Sequence, residues 1–521
     1  AVGDSYAAPP KQGSYLEQVT QSPGKLRIAL VKSMRPAKPP AAECEKALLE
    51  AGKLCESLGH NVEEQTENFN QQFVFADLRQ SHGKVVLVAL KRRIDRYLEQ
   101  LGNTLHQFYK ASNQLYHQSN REIAPSWVHE YLDRGKPSSV IEMGNWNRIK
   151  SQLPLVIRPD LILSAHGVRL TELDSVPGGI GFTANISALY SEVGYDVVGG
   201  GDGLVDGFYE AISASVKAPN PVVAVLVSDE SESYRQEMSW LAKTLRDRGR
   251  PVYCLHPKEI SVDDDGLLVA DDSGARHRVD VVYRFFELFD LPNIPKAELI
   301  TYFAKKNAVR VTPPLKAFLE EKMWLALFHH PGLDEFWEKE LKRDTRETLS
   351  ELIPRTWVLD PAPMPPHAVV AGLQIGCRPV SDWAQLSRIT KKERELVVKP
   401  SGFGEQASES RGVVIGHDAP EETWAEALRS ALARFDQGPS ILQDFHKAAR
   451  LPARYYDFHN DEIRSMHGRV LLRPYYYVSA DDVRLAGIQA IVCPSDKKVL
   501  HGMADAVLIP CAVREGENSD E

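Results

Sequence analysis

Apolar positions along this chain recur with two different periods, and the switch between them lays out the elements. Leu161, Ile162 and Leu163, then Val168 and Leu170, form two short apolar runs separated by Ala165-His166-Gly167, which predicts two strands joined by a turn. Residues 84–118 instead carry Ile94, Leu98, Leu101, Leu105, Phe108 and Leu115 at intervals of mostly three and four, predicting one long amphipathic helix with a break near Gly102. Residues 220–290 alternate the two signals. PVVAVLVSD reads as a buried strand, SYRQEMSWLAKTLRDRG as a helix closed by Gly249, PVYCLHP as a second strand, and GLLVADDSGARHRVDVVYRFFEL as a hairpin with a further strand. That order predicts a Rossmann-like α/β unit, although G-x-G-x-x-G is absent and a dinucleotide is not expected. Tyr283, Arg284 and Glu287 close its last strand, where open sheets place ligand contacts, and each equally fits a structural ion pair or a packing residue.

The rest of the chain reads in the same way. Residues 3–10 form a loop and residues 26–31 a buried strand. A helix follows with Cys44, Leu48, Ala51, Cys55 and Leu58 at helical spacing, closed by Gly59 before an extended piece from His60. A helix at residues 184–192 leads to GGGDG at residues 199–203, read as a flexible loop because a glycine cluster cradles phosphate only between a strand and a helix N-terminus. VTPPLKAFLEEKMWLALFHH opens on a proline turn and enters a helix in which Lys316 and Lys322 stand out, with His329 and His330 as C-terminal capping groups. LVVKPSGFGEQASESRGVVIG gives a strand ending in Lys399, a small-residue loop with Ser401, Gly402, Gly404 and Ser408, and a returning strand at residues 412–415. Such a loop suits a lid over phosphates. Strands are predicted at residues 440–446, with Gln443 and Asp444, and at residues 468–478, where Arg473 is polar among Leu472, Tyr475 and Tyr477. VRLAGIQAIVCP and VLHGMADAVLIPCAV complete the chain before an acidic tail, REGENSDE, expected to be disordered.

Bulk properties narrow the class. The 521 residues allow three or more domains, and 43% hydrophobic with 26% charged residues is ordinary for soluble globular protein. The net charge of −9 comes with no basic run, which argues against nucleic acid as a partner. Six scattered cysteines without C-x-x-C spacing suggest neither a zinc site nor a disulfide framework, and fit a reducing cytoplasm. No apolar run approaches the roughly 18–20 residues of a membrane span, and no signal peptide pattern is seen. The sequence opens on Ala1 rather than Met, which points to a start upstream of it.

The chemistry concentrates in residues 158–180, RPDLILSAHGVRLTELDSVPGGI. Glu172 and Asp174 are two apart on one strand, so their side chains leave the same face, and a hairpin brings Asp160 beside them. Converging carboxylates repel unless a cation sits between them, and an oxygen-only set suits Mg²⁺. The turn at Pro177-Gly178-Gly179 lets backbone come close to whatever the metal holds. Standing alone, the same residues also describe an ordinary hairpin with solvated acids, and Lys399 a surface lysine.

Two resemblances follow. G-D-x-Y-x-A-P-P, L-R-I-A-L, a helix and L-G-H-x-V-E-E, all within residues 1–75, resemble the middle of amidase-signature hydrolases, without that family's nucleophilic serine, bridging serine or lysine. The order of motifs across residues 80–515 resembles the circularly permuted branch of ATP-grasp enzymes that includes glutathionylspermidine synthase. Arg158-Pro159-Asp160 matches its R-x-D strand. Glu172, twelve residues after Asp160, matches the start of its E-x-N-x-D-T-P turn, read here as Glu172-Leu173-Asp174-Ser175-Val176-Pro177. Glu321-Lys322-Met323-Trp324-Leu325 before His330-Pro331-Gly332-Leu333 resembles its N-K-A-I-L-P helix and P-x-H-x-x-L-L segment. Lys399-Pro400-Ser401-Gly402-Phe403-Gly404-Glu405 resembles its K-P-x-x-G-R-E-G strand and loop, and Gln443 the glutamine at its adenine hinge. Asp174 replaces the family's Asn, Glu405-Gln406 stand where it has Arg-Glu-Gly, and the cysteine-protease amidase domain of the fused synthases is not visible.

The resemblance implies a mixed α/β, circularly permuted ATP-grasp fold with a Rossmann-like pre-ATP-grasp subdomain. The metal-binding strand ends ordinary ATP-grasp chains; here it precedes the lysines, which is what requires a permutation. The implied division is an amidase-like fragment at 1–75, a helical segment at 76–150 and the metal hairpin within 151–218. The Rossmann-like unit at 219–310, the nucleotide-binding region at 311–515 and a tail at 516–521 follow. The implied activity is ATP-dependent joining of a small-molecule or peptide carboxylate to an amine through an acyl phosphate, with ATP and Mg²⁺ as cofactors. Asp160, Glu172 and Asp174 would hold the metal, and Arg158 and Arg473 would act on the reacting phosphoryl and carboxylate groups. Lys322, Lys399, Gly402, Gly404 and Gln443 would hold the nucleotide, with adenine against Val398 and Leu442. A catalytically degenerate binding protein on the same fold, and an amidase-related hydrolase, are the alternatives. The acid, the amine and the oligomeric state are left open.

Overall fold

The computed structural model describes residues 27–31, 42–65, 88–90, 92–174, 176–407, 411–457, 460–480, 482–497, 499–500 and 506–513. The chain divides into two compact units, residues 1–83 and 84–521. In the first, strand Arg27–Val31 pairs in parallel with Asn61–Gln65, and helix Ala42–Ser57 makes the crossover that a parallel pair requires. The loop expected at residues 3–10, Leu26, Ser408 and the tail at residues 514–521 lie outside the described residues.

The second unit is mixed α/β and is built on three larger sheets. A seven-stranded sheet runs Val88–Leu90, Val507–Val513, Asp482–Pro494, Glu462–Ser479, Val156–Ser164, Gly167–Asp174, with Arg450–Asp457 also paired to Glu462–Ser479. Its two faces are sorted by strand alternation. Val470, Leu472 and Tyr476 pack with Leu98, Leu101 and Leu105 of helix Arg92–Ser119, while Tyr475 and Tyr477 join a separate core on the other side. A four-stranded parallel sheet, ordered Arg310–Thr312, Val281–Phe285, Val223–Val227, Val252–Leu255, occupies the region expected to be an α/β unit. The strands Val223–Val227 and Val281–Phe285 are buried along their whole length, which is why they read as continuous apolar runs. A third, antiparallel sheet is ordered Thr356–Val358, Ser440–Asp444, Leu396–Pro400, Val414–Ile415 and is backed by helix Glu421–Ala433. Among the described residues no helix is long and apolar enough to cross a membrane.

Three expectations change here. Helix Arg92–Ser119 runs unbroken through Gly102, and residues 88–90 are strand rather than helix. Gly102 is there for packing: a Cβ on it would lie 2.5 Å from Cδ1 of Tyr476 and 2.9 Å from Cγ1 of Val483. The 199–203 segment is likewise a point of close approach rather than slack, since a Cβ on Gly199 would meet the Ala486 carbonyl oxygen at 1.9 Å. Arg284 is not a ligand contact. It is fully buried, pairs with Glu320, and donates to the carbonyls of Pro313 (2.9 Å) and Phe286 (2.8 Å).

Gly102→Ala tests the packing. In an open helix this change stabilises by up to about 1 kcal/mol, whereas overpacking a filled core costs about 1–3 kcal/mol. Tyr476 is fully buried and its hydroxyl donates to the Leu98 carbonyl at 2.7 Å, so the ring has nowhere to swing. The variant should lose about 1–2 kcal/mol in urea unfolding; equal or greater stability would show that the helix and strand part easily.

Candidate functional site

The hairpin Val156–Ser164 and Gly167–Asp174 carries one irregularity that shapes the site. Asp160 pairs with Glu172 but Leu161 pairs with Leu170, so Thr171 is the extra residue of a β-bulge. Before the bulge Leu170 faces the core that also takes in helix Arg92–Ser119; after it Glu172 and Asp174 face the opposite way, together with Arg158 and Asp160. Arg473, on the adjoining strand Glu462–Ser479, reaches the same face and clasps Asp160, with Nε donating at 3.1 Å and Nη2 at 3.0 Å. Arg158 lies between Asp174, its short-range partner, and Asp160 at 3.3 Å.

The antiparallel sheet Thr356–Val358, Ser440–Asp444, Leu396–Pro400, Val414–Ile415 supplies the facing wall. Lys399 Nζ donates to the carbonyl of Thr171 at 2.9 Å and to Oε1 of Gln443 at 2.8 Å. The bulge makes the first contact available, because a bulged residue is left out of the ladder. Gln443 in turn donates from Nε2 to Thr356 Oγ1 at 3.0 Å, so its amide is engaged at both ends. Lys322, just before helix Met323–Phe328, sets Nζ 2.6 Å from Oε1 of Glu172 and donates to the Ala407 carbonyl at 3.0 Å. Seven charged groups from four parts of the chain therefore meet: Arg158, Arg473, Lys322 and Lys399 against Asp160, Glu172 and Asp174. Lys316 is elsewhere, buried on Asn113 Oδ1 and the carbonyls of Lys150 and Gln152.

Burial and charge set the ionisation of the cluster. Burial would raise the Asp160 carboxyl, but Arg473 and Arg158 hold it below the usual range. Burial would lower Lys322, yet Glu172 leaves it raised. Lys399 is brought down to about 8, by burial first and by the neighbouring Lys322, with Glu172 opposing. It is the cation of the four whose hydrogen bonds go to neutral oxygens.

Next to these charges lies an open cleft with ≈780 Å³ of empty space, part of it continuous with solvent, between the seven-stranded sheet and the antiparallel one, lined by Ile162, Val397, Ile415, Phe445 and Leu471 together with Asp160, Glu172, Lys399 and Gln443. Val398 and Leu442 do not line it. Strand alternation turns them to the other face, into the core around Trp424 and Leu428. Gly402 and Gly404 also stand apart, on the rim of a second cavity of ≈640 Å³ with Arg134 and Arg434. A Cβ on Gly402 would lie 2.4 Å from the Glu320 carbonyl oxygen, so this position serves the packing of the loop against residues 320–321.

One supporting residue had no signal in the sequence. Glu237, in helix Arg235–Asp247, accepts from the backbone N–H groups of Gly179 (2.7 Å) and Phe182 (2.9 Å) at the start of helix Ile180–Glu192. It thereby fixes the turn whose Gly178 carbonyl accepts from Arg158 Nη1 (3.0 Å) and the Tyr475 hydroxyl (2.8 Å). It stands 58 residues from Gly179, beyond any local pattern. Burial pushes its carboxyl up to about 7, against the two N–H groups and Arg158.

The donor set suits a hard divalent cation, being carboxylate oxygen throughout. As the groups stand, however, each carboxylate is neutralised by a lysine or arginine, and among the described residues no three acidic, histidine or cysteine groups converge on a metal position.

The chain matches no known protein family and no curated protein. Among solved structures it is similar to a glutathione synthetase-like effector from Globodera pallida in its apo form, at 12% identity and a TM-score of 0.48, over 85% of this chain and 96% of that one. It is also similar to a provisionally assigned gamma-glutamylcysteine synthetase from Methylobacillus flagellatus KT, at 12% identity and a TM-score of 0.36, over 77% of this chain and 86% of that one.

Glu237 gives the site a pH signature. With the folded carboxyl near 7 against an ordinary 4.5, the native state holds the extra proton between those values, and stability falls as pH rises through that window. Glu237→Gln cannot titrate. Its stability relative to wild type should therefore improve from pH 4.5 to 7, by on the order of 2–3 kcal/mol in all. A pH-independent difference in denaturant unfolding would remove Glu237 as the titrating group.

Proposed function

We propose that this chain is an ATP-dependent carboxylate–amine ligase on a circularly permuted ATP-grasp fold, with the parallel-sheet region as its pre-ATP-grasp subdomain. The observation that supports this most is the meeting of four cations and three carboxylates beside a mostly apolar cleft between the seven-stranded sheet and the antiparallel one. That is the environment a nucleotide triphosphate calls for: a flat apolar slot for the base and a dense cationic end for the phosphates. The carboxylate of the acid attacks the γ-phosphorus of ATP to give an acyl phosphate and ADP, and an amine then displaces phosphate to form the amide. Little covalent work falls to the protein, so rate comes from positioning and charge neutralisation.

In this reading adenine lies against Ile162, Val397, Ile415 and Leu471, and Lys322 and Lys399 take the α- and β-phosphates in place of Glu172 and Gln443. Arg158 and Arg473 face the transferred phosphoryl group and the acyl phosphate, where a forked guanidinium matches paired oxygens. Asp160, Glu172 and Asp174 are the residues that would hold Mg²⁺, whose charge would offset that of the β- and γ-phosphates. The partners are small-molecule or peptide acids and amines in the cytoplasm, rather than nucleic acid or membrane. A nucleotide-binding protein that has lost turnover is the second reading, favoured by Glu405-Gln406 in the loop after Lys399.

ADP release with a panel of acids and amines separates the two. Turnover should require both an acid and an amine, and Glu172→Gln should lower it by roughly 100-fold or more. Lys399→Met should weaken nucleotide binding by about 10–100-fold, the worth of a charged hydrogen bond. Equal turnover in wild type and Glu172→Gln would sink the assignment of that carboxylate; nucleotide binding with no turnover on any pair would favour the second reading.

A further inference from the structure

The charges of the cleft are paired with one another. Glu172 and Lys322 form a pair at 2.6 Å in which the lysine side chain is 8% exposed and the glutamate 35%. Lys322 is held on its far side by the Ala407 carbonyl, and its backbone N–H donates to the Ser401 carbonyl at 2.8 Å. Asp160 is occupied by Arg473 and Arg158, and Asp174 by Arg158. With four cations to three carboxylates the face is net positive, and Lys399 is left on the neutral oxygens of Thr171 and Gln443.

A divalent cation arriving alone meets that excess positive charge. To use Glu172 it must also strip the partner from a buried ammonium, which low-dielectric surroundings penalise. A polyphosphate meets the opposite situation. It is drawn by the excess charge, and it gives Lys322 and Lys399 replacement partners, so Glu172 is released beside Asp160, its cross-strand neighbour. We propose that Lys322 is an ionic latch on Glu172, so that the empty site refuses divalent metal and accepts it only once an anion has taken the lysine. The inference rests on the ligase reading for the identity of the anion, but the latch itself is a property of the Lys322–Glu172 pair.

The test is Mn²⁺ binding by electron paramagnetic resonance, without turnover. Wild type without nucleotide should bind Mn²⁺ at least tenfold more weakly than Lys322→Met, and Lys322→Met/Glu172→Gln should lose what the single variant gains. Lys322→Arg, which keeps the cation, should behave as wild type. Wild-type protein in EDTA should also bind a non-hydrolysable ATP analogue, a measurement that needs no variant to fold. Mn²⁺ binding to nucleotide-free wild type as tight as to Lys322→Met, or analogue binding only when metal is present, would overturn the latch. If Lys322→Met gains Mn²⁺ while no nucleotide binds, the latch stands and the ligase reading falls. If nucleotide binds in EDTA but Lys322→Met gains no metal, the latch falls and the ligase reading survives.

Discussion

Asp160 faces Glu172 across the hairpin and Leu161 faces Leu170, and Thr171, between Leu170 and Glu172, has no cross-strand counterpart. Side chains on a strand alternate, so without that extra residue Leu170 and Glu172 would share one face. Either the leucine would leave the core under helix Arg92–Ser119, or the carboxylate would enter it. The bulge resolves the conflict by inverting the phase in mid-strand. It also leaves the Thr171 carbonyl free of the ladder, and Lys399 from the facing sheet binds there. One inserted residue thus turns the acids toward the cleft and supplies the contact that joins the cleft's two walls.

The charges gathered on that face are poor candidates for holding the fold together. Buried ion pairs roughly balance their own desolvation, whereas deleting one partner of such a pair costs about 3–5 kcal/mol. Stability comes instead from the cores on either side, above all the packing of Leu98, Leu101 and Leu105 on the strand that carries Leu472 and Tyr476. Those cores leave the cluster rigid. The turn after the hairpin shows how: a Cβ on Gly178 would sit 2.4 Å from the Tyr234 ring, and one on Gly181 2.1 Å from the Glu237 carbonyl oxygen. Glycine at both places lets helix Arg235–Asp247 come close enough for Glu237 to cap the next helix. The Gly178 carbonyl then holds Arg158 and Tyr475 in place.

What was legible beforehand depended on periodicity. The hairpin, the parallel strands of residues 223–285 and the strand bearing Lys399 all declared themselves as apolar runs of the right length, and spacing was enough to bring Asp160, Glu172 and Asp174 to one face. Features set by tertiary contact were not legible. Gly102 looks like a helix breaker by propensity, and only the Tyr476 ring beside it explains it. Glu237 has no local pattern at all. Strand phase carries more than this. Leu170 and Glu172 already conflict in phase, which is a bulge signal, and once Lys399 points into the cleft Val397 must do so as well, leaving Val398 on the far side.

The loop after Lys399 raises the same issue of charge in another form. It carries Glu405-Gln406 where the resembling enzymes carry an arginine, yet a guanidinium is still present, six residues further on. Arg411 sets Nη1 2.9 Å from Glu405 and 3.3 Å from Glu230, which follows the strand Val223–Val227 of the parallel sheet. Both pairs reach solvent, and solvent-screened pairs are weak, about 0–1 kcal/mol. Lys322, by contrast, is buried on Glu172, and under the latch proposed above it would give up that partner only to another anion. The two contacts therefore differ in burial: the Arg411 pairs reach solvent, whereas the Lys322 end of the Lys322–Glu172 pair is shielded from it.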